Sequence, residues 1–156
     1  MSTPDFSPSQ MSFTGRCHCG KVRLQLEMRE HPAILQPRAC DCTYCQSRNA
    51  AYVSDPQGRL RIQVGAGAEL RTERQGAQLA DFLCCASCAT LVAVCYRDAE
   101  GIFAAVNLRV LEQTGQFAAP LEVSPQRLTP EEKVARWKQA WFGDVQIRQA
   151  QPAPDQ

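Results

Sequence analysis

The chain lacks an excess of charge of one sign. Seventeen Lys and Arg stand against 16 Asp and Glu over 156 residues, a formal net charge of +1. A phosphate backbone is held by a basic surface, so nucleic acid is not an expected partner. Also lacking is an apolar run of membrane-spanning length, so no membrane association is expected. The opening stretch, MSTPDFSPSQMS, has no basic segment followed by an apolar one, the pattern of a secretory leader. The expected setting is therefore cytoplasmic, where thiols stay reduced. Histidine is scarce: His18 is read as an exposed residue and His31, before Pro32, as a loop residue. No internal repeat of useful period is present.

What the chain has is cysteine. Of nine cysteines, seven fall into three short clusters: Cys17 and Cys19; Cys40, Cys42 and Cys45; and Cys85 and Cys88. An odd count in a leaderless chain argues for metal ligands and reduced thiols over a disulfide framework. Close pairs are how thiolate zinc sites are built, because one tight turn aims two sulfurs at one ion. Cys17, Cys19, Cys85 and Cys88 would close a structural zinc site; the alternative is four buried free thiols. Cys40, Cys42 and Cys45 make only three ligands. Three protein ligands with one open position mark a zinc that does chemistry, and here these cysteines are the candidate catalytic ligands. Two Zn²⁺ per chain are expected. With three thiolates around it the second ion is electron-rich, which suits a soft fourth ligand such as a substrate thiolate. The competing reading is a second structural site completed by Cys84 or Cys95, which otherwise read as buried small hydrophobes. Cys84 could also stand in for Cys85, although Cys85-x-x-Cys88 is the commoner spacing.

Length alone predicts one domain, with a core large enough that metal need not be its only support. Strict alternation marks Lys21 to Arg29 as a half-exposed strand, with Val22, Leu24, Leu26 and Met28 inward. Leu60, Ile62 and Val64 repeat the pattern. Gly65-Ala66-Gly67 then reads as a turn, with a returning strand from Glu69 to Glu73. Leu91 to Tyr96 is apolar on both faces, as a fully buried strand is, and Ile102 to Val106 is a further strand. The Cys40 cluster sits where a strand could turn into a short helix. Thr129-Pro130-Glu131-Glu132 announces a helix with a capping box, and Val134, Trp137 and Trp141 form a stripe read as core. Gly143 is its expected stop. Tails are expected at 1–11 and 147–156, around a domain at 12–146.

Three segments together carry a resemblance: Gly15-Arg16-Cys17-His18-Cys19-Gly20-Lys21-Val22, Cys40-x-Cys42-x-x-Cys45, and Phe82-x-x-Cys85-x-x-Cys88-x-Thr90-x-Val92. In order and spacing they resemble the glutathione-dependent formaldehyde-activating enzyme family, which includes the centromere protein V domain, over about residues 13 to 112. The resemblance implies a mainly β, Mss4-like zinc-binding fold with, in this chain, one C-terminal helix. It implies a structural zinc on Cys17, Cys19, Cys85 and Cys88, and a second on Cys40, Cys42 and Cys45 with glutathione beside it. The implied activity joins an aldehyde to a thiol, a carbon–sulfur lyase read in reverse, as in an S-(hydroxymethyl)glutathione synthase. The chain departs from the family in carrying Ala89 where Gly is usual after the last cysteine, and Asp41 where His is common. Arg16, Arg38, Arg48 and Arg109 are candidates to hold glutathione carboxylates, since the guanidinium fork matches them. Asn107, Arg48 and Arg109 are the named contacts for glutathione, with Asn107-Leu108-Arg109 put first. The alternative function is a non-catalytic zinc module that binds a protein partner or a small thiol. An open fourth position on the second ion favours the enzyme; a fourth protein ligand favours the module.

Overall fold

A computed structural model describes residues 10–74 and 79–150. The chain is mainly β, with its longer helix near the C-terminus. Strand β1 (Gln10–Arg16) turns back into β2 (Val22–Arg29), and the turn carries Cys17 and Cys19. Gly20 takes φ +80° there, a conformation that costs an L side chain. β2 pairs next with β5 (Arg59–Val64), and β5 pairs in parallel with β11 (Val145–Gln149). The second sheet runs in the order β10 (Leu121–Val123), β3 (Arg38–Cys40), β4 (Tyr52–Val53), β9 (Gly101–Asn107), β8 (Leu91–Asp98), β7 (Asp81–Cys85), β6 (Leu70–Glu73).

Side-chain alternation explains the layering. The inward residues of β1, β2 and β5, Phe13, Val22, Leu24, Leu26, Met28, Leu60 and Ile62, are almost fully buried. They form one core with Leu83, Val92, Ala93, Val106 and Phe142. The alternate residues of β7, β8 and β9, including Cys84, Val94 and Ala105, belong to a second apolar cluster with Tyr44, Tyr52 and Trp141. β8 is thus covered on both faces, as its unbroken apolar run predicted. Five-residue α1 (Thr43–Ser47) and α2 (Pro130–Ala140) pack around this second cluster.

Helix α2 starts as its sequence dictates. Thr129 Oγ1 accepts from the Glu132 N–H at 3.1 Å, and Glu132 Oε1 accepts from the Thr129 N–H at 2.8 Å. It ends at Ala140, capped by Trp141 and three residues ahead of the expected stop at Gly143. Two further expectations are corrected. The strand after the Gly65–Gly67 turn exists, but β6 does not return along β5. It pairs with β7 in the other sheet, because the edge of β5 is already taken by β11. The second correction follows from the first. Ile147, Arg148 and Gln149, expected in a tail, complete β11, with Ile147 set opposite Ile62. At the other end Gln10 and Met11 are strand residues; Ala150 donates its N–H to Val64 O at 2.7 Å, and the rest of both expected tails lies outside the described residues.

Candidate metal centres and the cavity beside them

The first cluster is built from two hairpins belonging to two different sheets. Cys17 and Cys19 sit in the β1–β2 turn, tightened by Gly20 N–H to Cys17 O and Cys17 N–H to Val22 O, both 3.0 Å. Cys85 closes β7 and Cys88 lies in the turn to β8, where Cys85 N–H meets Thr90 O at 2.9 Å and Ala89 N–H meets Cys85 O at 2.7 Å. The four sulfurs lie within 4.8 Å of one another, although Cys19 and Cys85 are 66 positions apart. Cys17 and Cys19 sulfurs are 3.5 Å apart, and Cys19 and Cys85 sulfurs 3.7 Å. A tetrahedral ion bound at about 2.3 Å holds its sulfurs about 3.8 Å apart, so the cage fits a metal ion closed by four thiolates. The Val22 N–H donates to Cys17 Sγ at 3.3 Å. Thr90 Oγ1 lies 3.1 Å from Cys88 Sγ and accepts the His18 N–H at 3.1 Å, which links the two turns directly. His18 itself is exposed and stands outside the ligand set. Burial opposes ionisation of Cys88, but bonds from the Thr90 hydroxyl and nearby backbone win and bring it down to about 5. Cys19 moves the other way, to about 11. The Lys21 backbone N–H favours its thiolate and is outweighed by desolvation and proton sharing with Cys17, Cys85 and Cys88.

The second cluster is local. Cys40 ends β3, Cys42 is the N-cap of α1, and Cys45 lies inside that helix. The strand-to-helix turn expected from sequence is what gathers them: Cys42 Sγ accepts the Cys45 N–H at 3.4 Å. The three sulfurs lie within 4.8 Å of one another. Among the described residues no fourth Cys, His, Asp or Glu joins them. Cys84 faces Tyr44, whose hydroxyl lies 3.8 Å from its sulfur. Cys95 is buried in the main core. The alternation of β7 settles the choice between neighbours: Cys85 points to the first cluster and Cys84 to the opposite face. Hydrogen bonding from Cys45, partly offset by burial, holds Cys40 down at about 6. The same bond pushes Cys45 well up, and burial raises Cys42. Tyr52 reaches Cys45 Sγ with its hydroxyl at 3.2 Å. Burial and the neighbouring sulfur push the Tyr52 phenol far up, so it stays a hydrogen-bond donor.

These three cysteines and Tyr52 line a cavity of about 530 Å³. One side carries Arg38, Lys133 and Arg136. Among the described residues none of the three forms an ion pair with a carboxylate. Arg38 is held below the usual guanidinium value by burial and by the charge of Arg136. Two cations set close together, with no carboxylate paired to either among the described residues, can take an anion. Of the arginines expected to meet glutathione, the structure brings only Arg38 to this cavity. Arg48 lies over the Tyr44 ring at 3.7 Å and pairs with Glu73 at 3.5 Å. Asn107 is buried, with its amide donating to Leu91 O at 2.9 Å and its carbonyl accepting the Arg109 N–H. Arg109 bonds Asn49 O at 2.7 Å, and Arg16 lies on the solvent side of the first sheet. None of these four lines the cavity.

Sequence reasoning missed Tyr52, Lys133 and Arg136, and read Trp137 and Trp141 as core stripe. The tryptophans border the cavity, stacked at 4.9 Å between centroids. The sequence does carry one signal: Lys133, Arg136, Trp137 and Ala140 recur at i, i+3, i+4 and i+7, one helix face that is half basic and half apolar. A solvent-facing or a core-facing stripe would be more uniform.

The molecule is thus a small, mainly β protein with two thiol clusters able to hold metal ions, one closed and one open on a cavity. Residues 12–127 match the family described as glutathione-dependent formaldehyde-activating enzyme, and the chain belongs to that family. It is also similar to a crystal structure of a Rhodobacter sphaeroides protein, with 29% sequence identity, a TM-score of 0.50, and 64% of this chain and 88% of that chain covered. No curated protein matches the chain. No helix among the described residues is long and apolar enough to cross a membrane.

Proposed function

We propose that the chain holds two zinc ions, one structural on Cys17, Cys19, Cys85 and Cys88, the other on Cys40, Cys42 and Cys45. At the second site it makes or breaks a carbon–sulfur bond between a small thiol, glutathione or one like it, and an aldehyde. The observation that carries the reading is the three-thiol cluster with no fourth ligand among the described residues, opening on a cavity that also presents Arg38, Lys133 and Arg136. Zinc bound there would supply acidity to a thiol entering at its open position and polarise a carbonyl oxygen. The residues of the chain do the rest. Arg38, Lys133 and Arg136 take the carboxylates of the thiol. Tyr52 donates to Cys45 and so tempers the donor strength of that sulfur. In the bond-forming direction the thiolate sulfur attacks the carbonyl carbon and the carbonyl electron pair moves to oxygen. That oxygen takes up a proton equivalent to the one the thiol lost, and the product is an S–C–OH adduct. Holding thiol and aldehyde side by side adds a proximity contribution. The activity is that of a carbon–sulfur lyase, S-(hydroxymethyl)glutathione synthase-like, in a cytoplasmic setting where nine free cysteines are at home.

The test is calorimetry with glutathione and its S-methyl form, followed by exchange NMR of thiol and adduct with native protein and folded Cys42→Ser. Glutathione is expected to bind more tightly than S-methylglutathione, and exchange to depend on Cys42. Equal binding of both forms ends the thiolate role. Exchange at the uncatalysed rate in both proteins ends the lyase reading.

A further inference from the structure

On one wall of the cavity, two of its three basic side chains, Lys133 and Arg136, and its stacked indoles come from a part of the chain that the family match does not reach. That match ends at residue 127, and Lys133, Arg136, Trp137, Ala140 and Trp141 lie beyond it. Whatever this wall recognises is a property of this chain rather than of the matched segment.

The wall is aromatic and held in place. Trp137 and Trp141 stack with rings 16° from parallel, and Tyr96 leans on Trp137 at 5.6 Å. A second aromatic pair, Tyr44 with Phe82 at 4.6 Å, lines the same cavity. Trp141 is buried in the second apolar cluster, but Trp137, stacked on it, is only partly covered and is not simply filling a core. Helix α2 is pinned at both ends. Its N-terminus carries the capping box. Toward its C-terminus Lys138 pairs with Asp98 at 2.6 Å and Glu100 at 2.8 Å, on the turn between β8 and β9. Arg38 donates to Ser54 Oγ at 2.5 Å, and Ser54 donates to Ala140 O at 2.7 Å. That relay fixes the basic group of the cavity relative to the aromatic one.

A thiol adduct of the smallest aldehyde gives this wall nothing to hold. Its hydroxymethyl group is small and polar, and the amides of a peptide thiol lose free energy when set against apolar rings without partners. A ring or a branched hydrocarbon on the aldehyde carbon matches it, since an aromatic group carries about 150–250 Å² of surface of the kind such walls cover. We propose that the adduct handled here derives from an aldehyde with a bulky apolar substituent, aryl above all, and that Trp137 and Trp141 determine this specificity. The proposal rests on the thiol-adduct reading for its chemistry, while the preference for an aryl group is measurable without any thiolate.

S-benzylglutathione and S-methylglutathione differ only in the ring, and neither carries a thiolate. Their affinities for the zinc-loaded full chain are compared by calorimetry, with glutathione alongside. The chain has two tryptophans, both on this cavity, so fluorescence quenching checks that the ligand sits there. The expected ratio is roughly tenfold or more in favour of the benzyl form, the scale of a stacked and buried ring. It should shrink in Trp137→Phe and fall towards one in Trp137→Ala, each shown to be folded by circular dichroism. A ratio near one in native protein overturns the proposal, as does a tenfold ratio that survives in folded Trp137→Ala. If Trp137→Ala does not fold, Trp137→Phe decides: an undiminished ratio there overturns the proposal and a reduced one supports it. Glutathione binding with a ratio near one would leave the thiol reading intact and remove the aryl inference. Failure of glutathione to bind, with the benzyl preference kept, would remove the thiol reading and leave the aryl site standing.

Discussion

Cys17, Cys19, Cys85 and Cys88 come from two hairpins in two sheets, whereas Cys40, Cys42 and Cys45 come from one strand-to-helix turn. The sulfur atoms are alike; what surrounds them is not. The first set closes on itself, with four ligands, and its two turns are also joined through Thr90. Metal bound there would tie together turns 66 positions apart, adding to the shared core and the Thr90 contact, and its binding free energy would become folding free energy. The second set stops at three and faces an aromatic, cationic cavity. Its cysteines are gathered by their own local backbone, so on the proposed reading the fold should not depend on an ion there. The comparison teaches that the two clusters differ in ligand number and in sequence separation, the features on which the proposed division into a structural and a working site rests.

The sharpest way to break this division is to remove one sulfur from each. Cys88→Ala is expected to abolish cooperative unfolding, because structural zinc contributes on the order of 10 kcal/mol in small metal-dependent folds and an incomplete cage loses it. Cys42→Ser is expected to lose one equivalent of zinc while its melting temperature moves by no more than about 4 °C, the effect of about 1 kcal/mol in a domain this size. Thermal melts by circular dichroism with elemental analysis check both. Equal loss of structure in the two variants would erase the distinction.

Protons give the next largest effect. In the metal-free second cluster Cys42 and Cys45 are held above the ordinary thiol value, so at pH 7 both carry protons that an incoming ion must displace. Cys40, at about 6, is already ionised. Zinc loading there should therefore release about two protons at pH 7, rising to about three below pH 6 as Cys40 protonates. Affinity should accordingly fall by about a hundredfold per pH unit near neutrality and more steeply in acid. Calorimetry of the zinc-depleted second site in buffers of different ionisation enthalpy reads the proton count. Release of three protons already at pH 8 would contradict the low value of Cys40.

The cavity offers a finer contrast between arginines. Arg136→Gln is expected to weaken glutathione binding by about tenfold, the loss of one charge-assisted contact to a carboxylate. Arg48→Gln, whose partners are Tyr44 and Glu73, should change it less than about threefold. A titration in which Arg48 proves the more important would move the thiol out of this cavity.

The smallest effect belongs to the closed site. Ala89 sits at φ +65° just after Cys88, a left-handed position that costs a side chain about 1 kcal/mol. Part of that gain is offset by the greater freedom glycine brings to the unfolded chain. Ala89→Gly should therefore stabilise the protein by roughly 0.5 kcal/mol, visible as a rise of one or two degrees in the melt. A fall would mean that the turn is not strained.

Much of the candidate site is legible in the sequence. The two groups of seven cysteines able to hold metal follow from spacing, because close cysteine pairs in tight turns are how thiolate metal sites are built. The strand from Val22 to Arg29 and the capped helix at Pro130 follow from period and capping chemistry, which are local. Strand partners do not follow. The period of β6 announces a strand, but nothing in Leu70 to Glu73 says that it pairs with β7 rather than β5. The substrate side is illegible for the same reason. Arg48 and Arg109 stand close in sequence to a cysteine cluster and to a strand end, and both are engaged elsewhere. Lys133 and Arg136, about ninety residues from the Cys40 cluster whose cavity they line, share a mixed basic and apolar helix face, but nothing local says which part of the chain that face meets.

The sequence by itself picked out the clustered cysteines, most strands and the start of α2, since each rests on patterns within a few residues. The tertiary structure settled that Cys85, which spacing already favoured, rather than Cys84 joins the first cluster, because that depends on which face of β7 meets the first sheet. It alone decided that α2 comes back over the Cys40 cluster and turns Trp137, Lys133 and Arg136 toward it. Those choices are made by packing between distant segments, whose free energy depends on what each face finds opposite it and is written in no single stretch of the chain.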